Sequence, residues 1–300
     1  MSKDTVTMKK RSGSKGSEKK VRSRAGEIWH SIRRNKGAML GLIFLCILIL
    51  IIIYSLLFIS YEDIMSMDNE SMLPPSSEHP FGTDDMGRDM FKRVLYGTRY
   101  SLVIGVVAVA AAMVIGVIVG AIAGYFGGNV DNLLMRANDI ISSIPSILLG
   151  MVIVTVLGQS LRNLIIAVAV PSICVFARIT RASVLTVRGQ EYVEAAKAIG
   201  MSNLRIIFSE VVPNGLSPII VTATTMIGNA ITVAASLSFL GFGVPLPTPE
   251  WGALVSGGRS LIKIAPYLST FPGLFIMATV LAFNIMGDGL RDALDPKLKR

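Results

Sequence analysis

The residue types that perform enzyme chemistry are scarce in this sequence and form no familiar catalytic pattern. No Gly-Lys dipeptide occurs, which excludes the phosphate-binding loop of a P-loop nucleotide hydrolase. The two histidines, His30 and His79, belong to no HExxH zinc motif, and no Gly-x-Ser-x-Gly nucleophile elbow occurs. The sequence therefore predicts a protein that is not an enzyme and that binds no cofactor of its own.

A metal site is conceivable only near His79, Asp84 and Asp85. Calcium or magnesium would need several more oxygen ligands, and none follows at a suitable spacing. Aspartates in a polar loop are typical of turns. We therefore expect a solvated loop here and no metal.

An uncharged polar face lies on one predicted membrane helix, residues 215–237. Its members recur at spacings of 3, 4, 3 and 4 residues, which places them on one side of a helix: Thr222, Thr225, Asn229, Thr232 and Ser236. Polar groups at membrane depth should face protein or water rather than lipid. Two interpretations stay open. The face lines a translocation path, or it makes interhelical hydrogen bonds worth ~0.6 kcal/mol each.

A polar, charged segment, residues 190–213, interrupts the apolar sequence, and we call it the polar island. Its first part has helical spacing with a polar-to-small side and an apolar side. The polar-to-small side has Glu191, Glu194, Ala195 and Ala198, and the apolar side has Tyr192, Ala196 and Ile199. The spacing predicts a short amphipathic helix.

The second part of the polar island predicts another short helix. Gly200 is a natural stop for the first helix, and Ser202 can cap the second. The predicted buried side of the second helix consists of Leu204, Ile206, Ile207 and Phe208. Pro213 ends this helix or opens the next span. The polar island is either an interfacial loop at the lipid headgroups or a docking element for a partner.

Composition and charge indicate a membrane protein. Of the 300 residues, 52% are hydrophobic and 16% are charged, with a mean hydropathy of +0.60. The net charge of +9 lies entirely in residues 1–36, which have 12 Lys and Arg against three acidic residues. The tail lacks interleaved aromatic residues, which argues against nucleic-acid binding. Its Lys/Arg excess predicts a cytoplasmic N-terminus near anionic lipid.

The apolar runs predict an all-α, polytopic membrane protein with six spans and both termini in the cytoplasm. The predicted spans are residues 37–59, 101–126, 133–157, 164–179, 215–237 and 267–286. The domain organisation follows: a basic tail and interfacial segment at 1–36, a first span at 37–59, an extracytoplasmic loop at 60–99, and a core at 100–300 with a cytoplasmic loop at 185–213. A stripe of small residues in the second span predicts close helix packing: Ala108, Ala112, Gly116, Gly120 and Gly124.

The polar island resembles the EAA loop of ABC importer permeases. The residues that match at the family's spacing are Glu194, Ala195, Ala196, Gly200 and Pro213. Glu210 and Val212 replace the family's isoleucine and leucine. The resemblance implies a coupling helix that sits in a groove of a cytoplasmic ATPase. The coupling residues it implies are Glu191, Glu194, Ala195, Ala196, Gly200, Ser202 and Asn203.

The loop before the second span has the sequence His79-Pro-Phe-Gly-Thr-Asp84, followed by Gly87-Arg88-Asp89 and Arg93. This pattern resembles the dipeptide/oligopeptide/nickel branch of ABC permeases, and in particular its "C"-type subunit. The segments 237–244, 248–252 and 287–296 resemble the same branch. The resemblance draws attention to a set of outer-loop residues: Gly82, Thr83, Asp84, Gly87, Arg88, Asp89 and Arg93. Their charges are expected to stiffen the loop or to face a docked solute-binding protein.

These resemblances imply the ABC type I importer permease architecture, in the bacterial cell membrane, with a peptide as solute. The expected partners are a homologous second permease, two cytoplasmic ATPases that bind ATP and Mg, an extracytoplasmic solute-binding protein and lipid. Nickel or another small solute is the alternative. An ion-coupled secondary transporter would need buried carboxylates, and the centres of the spans have no charge.

Overall fold

The structure, a computed structural model, describes residues 24–294, which fold into helices joined by loops, the longest of which covers residues 66–89. In chain order the helices are α1 (Arg24–Arg34), α2 (Lys36–Phe58), α3 (Tyr61–Met65), α4 (Met90–Phe126), α5 (Gly128–Ser142), α6 (Ser146–Leu157), α7 (Leu161–Val187), α8 (Glu191–Ala198), α9 (Asn203–Ile206), α10 (Val212–Asn214), α11 (Leu216–Phe239), α12 (Trp251–Gly258) and α13 (Tyr267–Leu294). A π-helical turn, Ile207–Val211, joins α9 to α10.

Among residues 24–294, five helices are long and apolar enough to cross a membrane: α2, α4, α7, α11 and α13. The bent pair α5 and α6 supplies a sixth crossing when it is counted as one span. Several of these helices have a side-chain N-cap at their first turn. Asn35 accepts a hydrogen bond from the Ala38 N–H, and Asp89 accepts one from the Lys92 N–H. The predicted all-α polytopic architecture is confirmed.

The third span is broken, and here the sequence-based prediction was wrong. It expected one helix from Leu133 to Leu157 with a kink at Pro145. The structure instead has two helices that meet at 86°, and the first begins at Gly128. Proline has no N–H to donate and keeps the preceding residue out of helical geometry. The backbone of Pro145 is itself extended, with a ψ of 132°, so α6 starts afresh at Ser146.

Three other helices are longer than the apolar runs that predicted them. Helix α4 begins at Met90 rather than Ser101, α7 continues to Val187, and α13 continues to Leu294. Polar residues extend a helix when they pack against protein or reach water, which hydropathy alone does not record. The predicted interfacial segment is α1. Residues 1–23 of the basic tail lie outside the described residues.

The small-residue stripe of α4 packs closely against another helix, as predicted, and that helix is α7. A Cβ atom on Gly116 would lie 2.5 Å from the Phe176 Cβ, and one on Gly120 would lie 2.3 Å from the Ala177 carbonyl oxygen. Only glycine allows such an approach of two backbones. The two helices therefore form a closely packed pair through most of their length.

Helix α13 packs against α2 and α11 in the same manner. A Cβ atom on Gly41 would lie 2.8 Å from the Ala282 carbonyl oxygen, and one on Gly289 would lie 2.2 Å from the Ala38 Cβ. We call the end of the bundle that holds α8 the island end. The opposite end, which holds the 60–89 loop and α12, is the loop end.

Candidate coupling and translocation sites

The first helix of the polar island ends at Gly200, as predicted. Gly200 has a φ of +81°, which side chains rarely adopt. Its N–H donates to the Lys197 carbonyl at 2.9 Å, and the next N–H, of Met201, donates to the Ala196 carbonyl at 3.1 Å. This pair of bonds is the Schellman motif. The glycine therefore turns the chain out of α8 without leaving carbonyls unsatisfied.

The two sides of α8 differ from the prediction. Val193 and Ala196 are buried, whereas Tyr192 and Ile199 are exposed. The predicted apolar side was therefore wrong except at Ala196. A helix of eight residues fits more than one pattern of spacing, and contact with the rest of the chain decides which side is buried. Ile199 is 79% exposed, so an apolar side chain faces away from the bundle.

The prediction for the second short helix is also corrected. Ile206 and Ile207 are fully buried, as expected, but Leu204 and Phe208 are exposed. The buried pair continues through the π-helical turn to Val211. Ser202 takes the N-cap position, yet its side chain makes no capping hydrogen bond.

A shared apolar cluster fixes the polar island to α4 and α7. Val193 of α8 and Ile206 of α9 pack there with Ala121 of α4 and Val184 of α7. All four are almost completely buried. Large buried side chains of this kind contribute about 1.5–3 kcal/mol each. A displacement of α8 is therefore expected to move the ends of α4 and α7 with it.

Polar contacts reinforce the same junction. The Tyr125 hydroxyl, at the end of α4, donates to the Asn203 Oδ1 at 3.1 Å. The Arg188 guanidinium, just after α7, donates to the Gly124 carbonyl at 2.7 Å. It thereby supplies a hydrogen-bond donor to one of the carbonyl groups in the last turn of α4. The structure thus brings Asn203 into contact with α4.

The connection from the polar island to α11 is irregular. After the π-helical turn, Pro213 lies in the short α10, and Gly215 separates α10 from α11. The Ser183 hydroxyl of α7 donates to the Gly215 carbonyl at 2.8 Å. The start of α11 is therefore tied to α7 as well.

The polar face of α11 makes no interhelical hydrogen bond through its hydroxyls within the described part of the chain. Thr222 donates to the Pro218 carbonyl at 2.9 Å, Thr232 to the Gly228 carbonyl at 3.0 Å, and Ser236 to the Thr232 carbonyl at 2.8 Å. Thr225 likewise donates within the helix, to the Thr222 carbonyl at 3.0 Å. These bonds satisfy the hydroxyl protons locally and leave the oxygens as acceptors.

Three of the five residues of this face line two different cavities. Thr222 and Thr225 line a cavity of about 500 Å³ at the island end. Asn229 instead lines a separate cavity of about 340 Å³ beside the break at Pro145. Thr225 also packs on α13, where a Cβ on Gly287 would lie 2.4 Å from the Thr225 Cγ2.

The set of outer-loop residues singled out by the sequence, which we call the loop-end motif, forms a compact turn around Asp84. The Asp84 carboxylate accepts from the Arg88 Nε at 2.7 Å and from an Arg93 guanidinium nitrogen, and it also accepts the backbone N–H groups of Met86 and Arg88. Asp84 and Arg93 are both buried. The pairing therefore ties the loop to α4, which supports the stiffening role. The expectation of a solvated loop was wrong at Asp84, because its carboxylate is buried by the two arginines that it pairs with.

The neighbouring residues of the motif are also used internally. Thr83 is fully buried, and its hydroxyl donates to the Glu70 carbonyl at 2.7 Å. Gly82 and Gly87 have φ angles of +71° and +76°. The Asp89 carboxylate lies 2.8 Å from the His79 Nδ1. Among residues 24–294, no group of three or more His, Cys, Asp or Glu side chains could bind a metal.

Glu250 is a buried residue to which the sequence assigned no role. Its carboxylate begins α12 by accepting the N–H groups of Gly252 at 2.9 Å and Ala253 at 3.0 Å, and it also accepts the Ser101 hydroxyl at 3.2 Å. Burial raises the pKa of this carboxyl group, which lies outside the spans. An acidic residue directly before an apolar helix start was the available signal.

The segment that holds Glu250 fits closely onto α4. A Cβ atom on Gly97 would lie 2.0 Å from the Pro249 carbonyl oxygen. The Trp251 indole donates to the Val94 carbonyl at 3.1 Å, and Trp251 is fully buried. Helix α12 is therefore fastened to the loop end of α4.

Two family models match the chain. The model described as "Binding-protein-dependent transport system inner membrane component" matches residues 116–300. The model described as "N-terminal TM domain of oligopeptide transport permease C" matches residues 23–75. The two matches lie on either side of the loop-end motif.

Relatives match the chain over most of its length. It is 48% identical over 273 residues to a dipeptide transport system permease protein of Alkalihalophilus pseudofirmus, which covers 91% of this chain and 90% of the relative. It is 45% identical over 280 residues to a glutathione transport system permease protein of Escherichia coli O6:K15:H31, covering 93% and 92%. An inward-facing methionine ABC transporter structure has a TM-score of 0.57 over 69% of this chain and 98% of that chain. At 18% identity it shows the fold alone.

Proposed function

Because this chain belongs to the family of binding-protein-dependent transport system inner membrane components, we propose that it is a permease subunit of an ABC importer for short peptides. The observation that supports a peptide solute is the pair of relatives named for dipeptide and glutathione transport. Nickel has no comparable support among them. The second half of the path would come from a homologous permease.

The motive force is proposed to come from separate subunits. The sequence has no phosphate-binding loop. ATP and Mg would therefore bind to two cytoplasmic ATPases, and a solute-binding protein would deliver the peptide at the other face. The uncharged centres of the spans give no support to ion coupling.

We infer that α8 is the element through which the ATPases act. Its outward side exposes Glu191, Glu194 and Ala195, while Ala196 faces the chain's own core. The proposed contact surface is therefore Glu191, Glu194, Ala195 and the exposed Ile199, with Gly200 setting the turn. Asn203 is proposed to pass the displacement on to α4 through Tyr125.

The island end is proposed to face the cytoplasm of a bacterial cell. Arg188 and Lys197 lie at this end, and α1 with its basic residues packs beside the end of α13. An excess of Lys and Arg is typical of cytoplasmic loops. The loop 60–89 and α12 would then face the binding protein.

Uptake by the reconstituted assembly tests the proposal. Vesicles would contain this chain, its second permease and the ATPases, with ATP inside and the binding protein and a labelled dipeptide outside. Ionophores would collapse all ion gradients. We expect uphill uptake that requires ATP. Uphill uptake by the permeases alone, in parallel vesicles that keep their ion gradients, would contradict the proposal. ATP-driven uptake of nickel ions but not of dipeptide would also contradict it.

A further inference from the structure

The last turns of α13 pack against two neighbouring helices at the island end. The Thr225 side chain of α11 packs against Gly287, and Ala38 of α2 packs against Gly289. Asp292 accepts a hydrogen bond from the Asn35 amide at 3.4 Å. These three residues are used for packing. Asp288 and Arg291, which alternate with them, face elsewhere.

Asp288 and Arg291 line the 500 Å³ cavity at the island end. Ile179 of α7, Val221 of α11 and Leu294 of α13 give the cavity apolar walls. Thr222 and Thr225 of α11 also line this cavity, and their hydroxyl protons are donated within their own helix. The cavity thus combines apolar surface, spare acceptors and two opposite charges.

Neither charge is used within the described part of the chain. Both side chains are exposed, and neither makes a side-chain hydrogen bond or ion pair with the other or with any other residue of 24–294. Residues three apart on a helix have Cβ atoms about 5–6 Å apart. A dipeptide in extended form spans about 7 Å. The spacing of the two residues along the helix is therefore of the same order as that of a dipeptide's ammonium and carboxylate.

We infer that this cavity is an exit site for the transported solute and that it binds zwitterionic short peptides. The Asp288 carboxylate would accept the peptide ammonium, the Arg291 guanidinium would donate to the peptide carboxylate, and the apolar walls would contact side chains. This inference rests on the proposed function and adds a site on the release side. A peptide at this site from the cytoplasm would slow further turnover.

Inhibition from the island side tests the site. The vesicles described above would be loaded with unlabelled dipeptide, with its N-acetyl form or with its amide, and the initial rate of labelled uptake would be measured. We expect dipeptide in the lumen to slow uptake. Each blocked form should need about fivefold more peptide for the same effect, since each lacks one charge contact. Equal inhibition by all three compounds, or no inhibition, would overturn the inference while leaving the proposed function intact.

Substitutions assign the two charges. Asp288→Asn should erase the difference between dipeptide and its N-acetyl form, and Arg291→Gln should erase the difference between dipeptide and its amide. Asp292→Asn, on the same helix but bonded to Asn35, is the matched control and should keep both differences. If the Asp288→Asn and Arg291→Gln variants still distinguish dipeptide from both blocked forms, the inference is overturned. Failure of the unaltered assembly to transport peptide at all would instead reject the proposed function.

A zwitterionic lipid headgroup offers the same pair of charges. Vesicles of phosphatidylglycerol alone contain no such headgroup. A solute site predicts the same Asp288→Asn effect in these vesicles and in vesicles that also contain phosphatidylethanolamine. An effect confined to phosphatidylethanolamine vesicles would assign the cavity to lipid and overturn the solute assignment.

Discussion

The Asp84 carboxylate links the 60–89 loop to α4 by pairing with Arg88 and Arg93. Removing its charge should lower the free energy of unfolding. Asp84→Asn would leave the Arg93 guanidinium buried without its counter-charge. Breaking a buried pair on one side costs about 3–5 kcal/mol. We expect a clear fall in the thermal unfolding temperature of the detergent-purified protein. Asp85→Asn, at the exposed neighbouring residue, is the control and should unfold with the unaltered protein. Equal unfolding temperatures for both variants would contradict the buried pair.

Glu250 predicts a pH dependence of stability. Because burial raises its pKa, the folded protein binds this proton more tightly than the unfolded chain does. The stabilising contribution is complete at pH values below the ordinary Glu pKa. It is lost as pH rises through the raised value. Glu250→Gln has no proton to lose, so its unfolding temperature should change less over this pH range. At acidic pH the unfolding temperature of Glu250→Gln should be lower than that of the unaltered protein. The glutamine side chain would place an N–H donor against the Ala253 N–H, which would lose its acceptor.

Glu78→Gln is the matched control for this measurement. Glu78 is exposed at the loop end, so its substitution should leave the pH profile unchanged. A Glu250→Gln profile that runs parallel to that of the unaltered protein would show that Glu250 does not titrate differently in the folded state.

The short helix α8 depends on its turn as well as on its surface. Gly200 has a φ of +81° but open space around its Cβ position, so a larger residue would strain the backbone rather than collide. Gly200→Val should therefore abolish ATP-driven uptake while the protein still inserts into the membrane. Gly189→Val, at a nearby glycine with equally open space and no positive φ, should transport normally. Normal uptake by the Gly200→Val vesicles would contradict the coupling role.

The helices were more predictable than the sides they bury. Long apolar runs identified the five crossings made by single helices because lipid sets the length of a span. The turn at Gly200 was predictable from one residue. The buried side of α8 was not, because Val193 and Ala196 are selected by contact with Ala121 and Val184. The break at Pro145 was predicted only as a kink, since its angle depends on how α5 and α6 pack.

At the scale of the whole molecule, helix α4 makes side-chain contacts with structural elements at both ends of the bundle. Helix α12 and the Asp84 turn hold its loop end, and the polar island holds its island end through Tyr125. Because α4 packs closely on α7, we propose that displacement of α8 reaches the loop end through this helix pair. The sequence predicted the polar face of α11 as one surface. In the structure Thr222 and Thr225 line one cavity and Asn229 lines another, because α13 borders the first and the break at Pro145 borders the second.

Thiol labelling at Ile199 tests the central claim, that separate ATPases act on this chain at α8. Cys46 and Cys174 would be replaced by serine and Ile199→Cys introduced at the exposed end of the helix. A membrane-impermeant maleimide should label this variant in inside-out vesicles stripped of ATPases. It should fail to do so once the ATPases are bound again, and it should not react in intact cells. Labelling of intact cells, or equal labelling with and without the ATPases, would contradict the account.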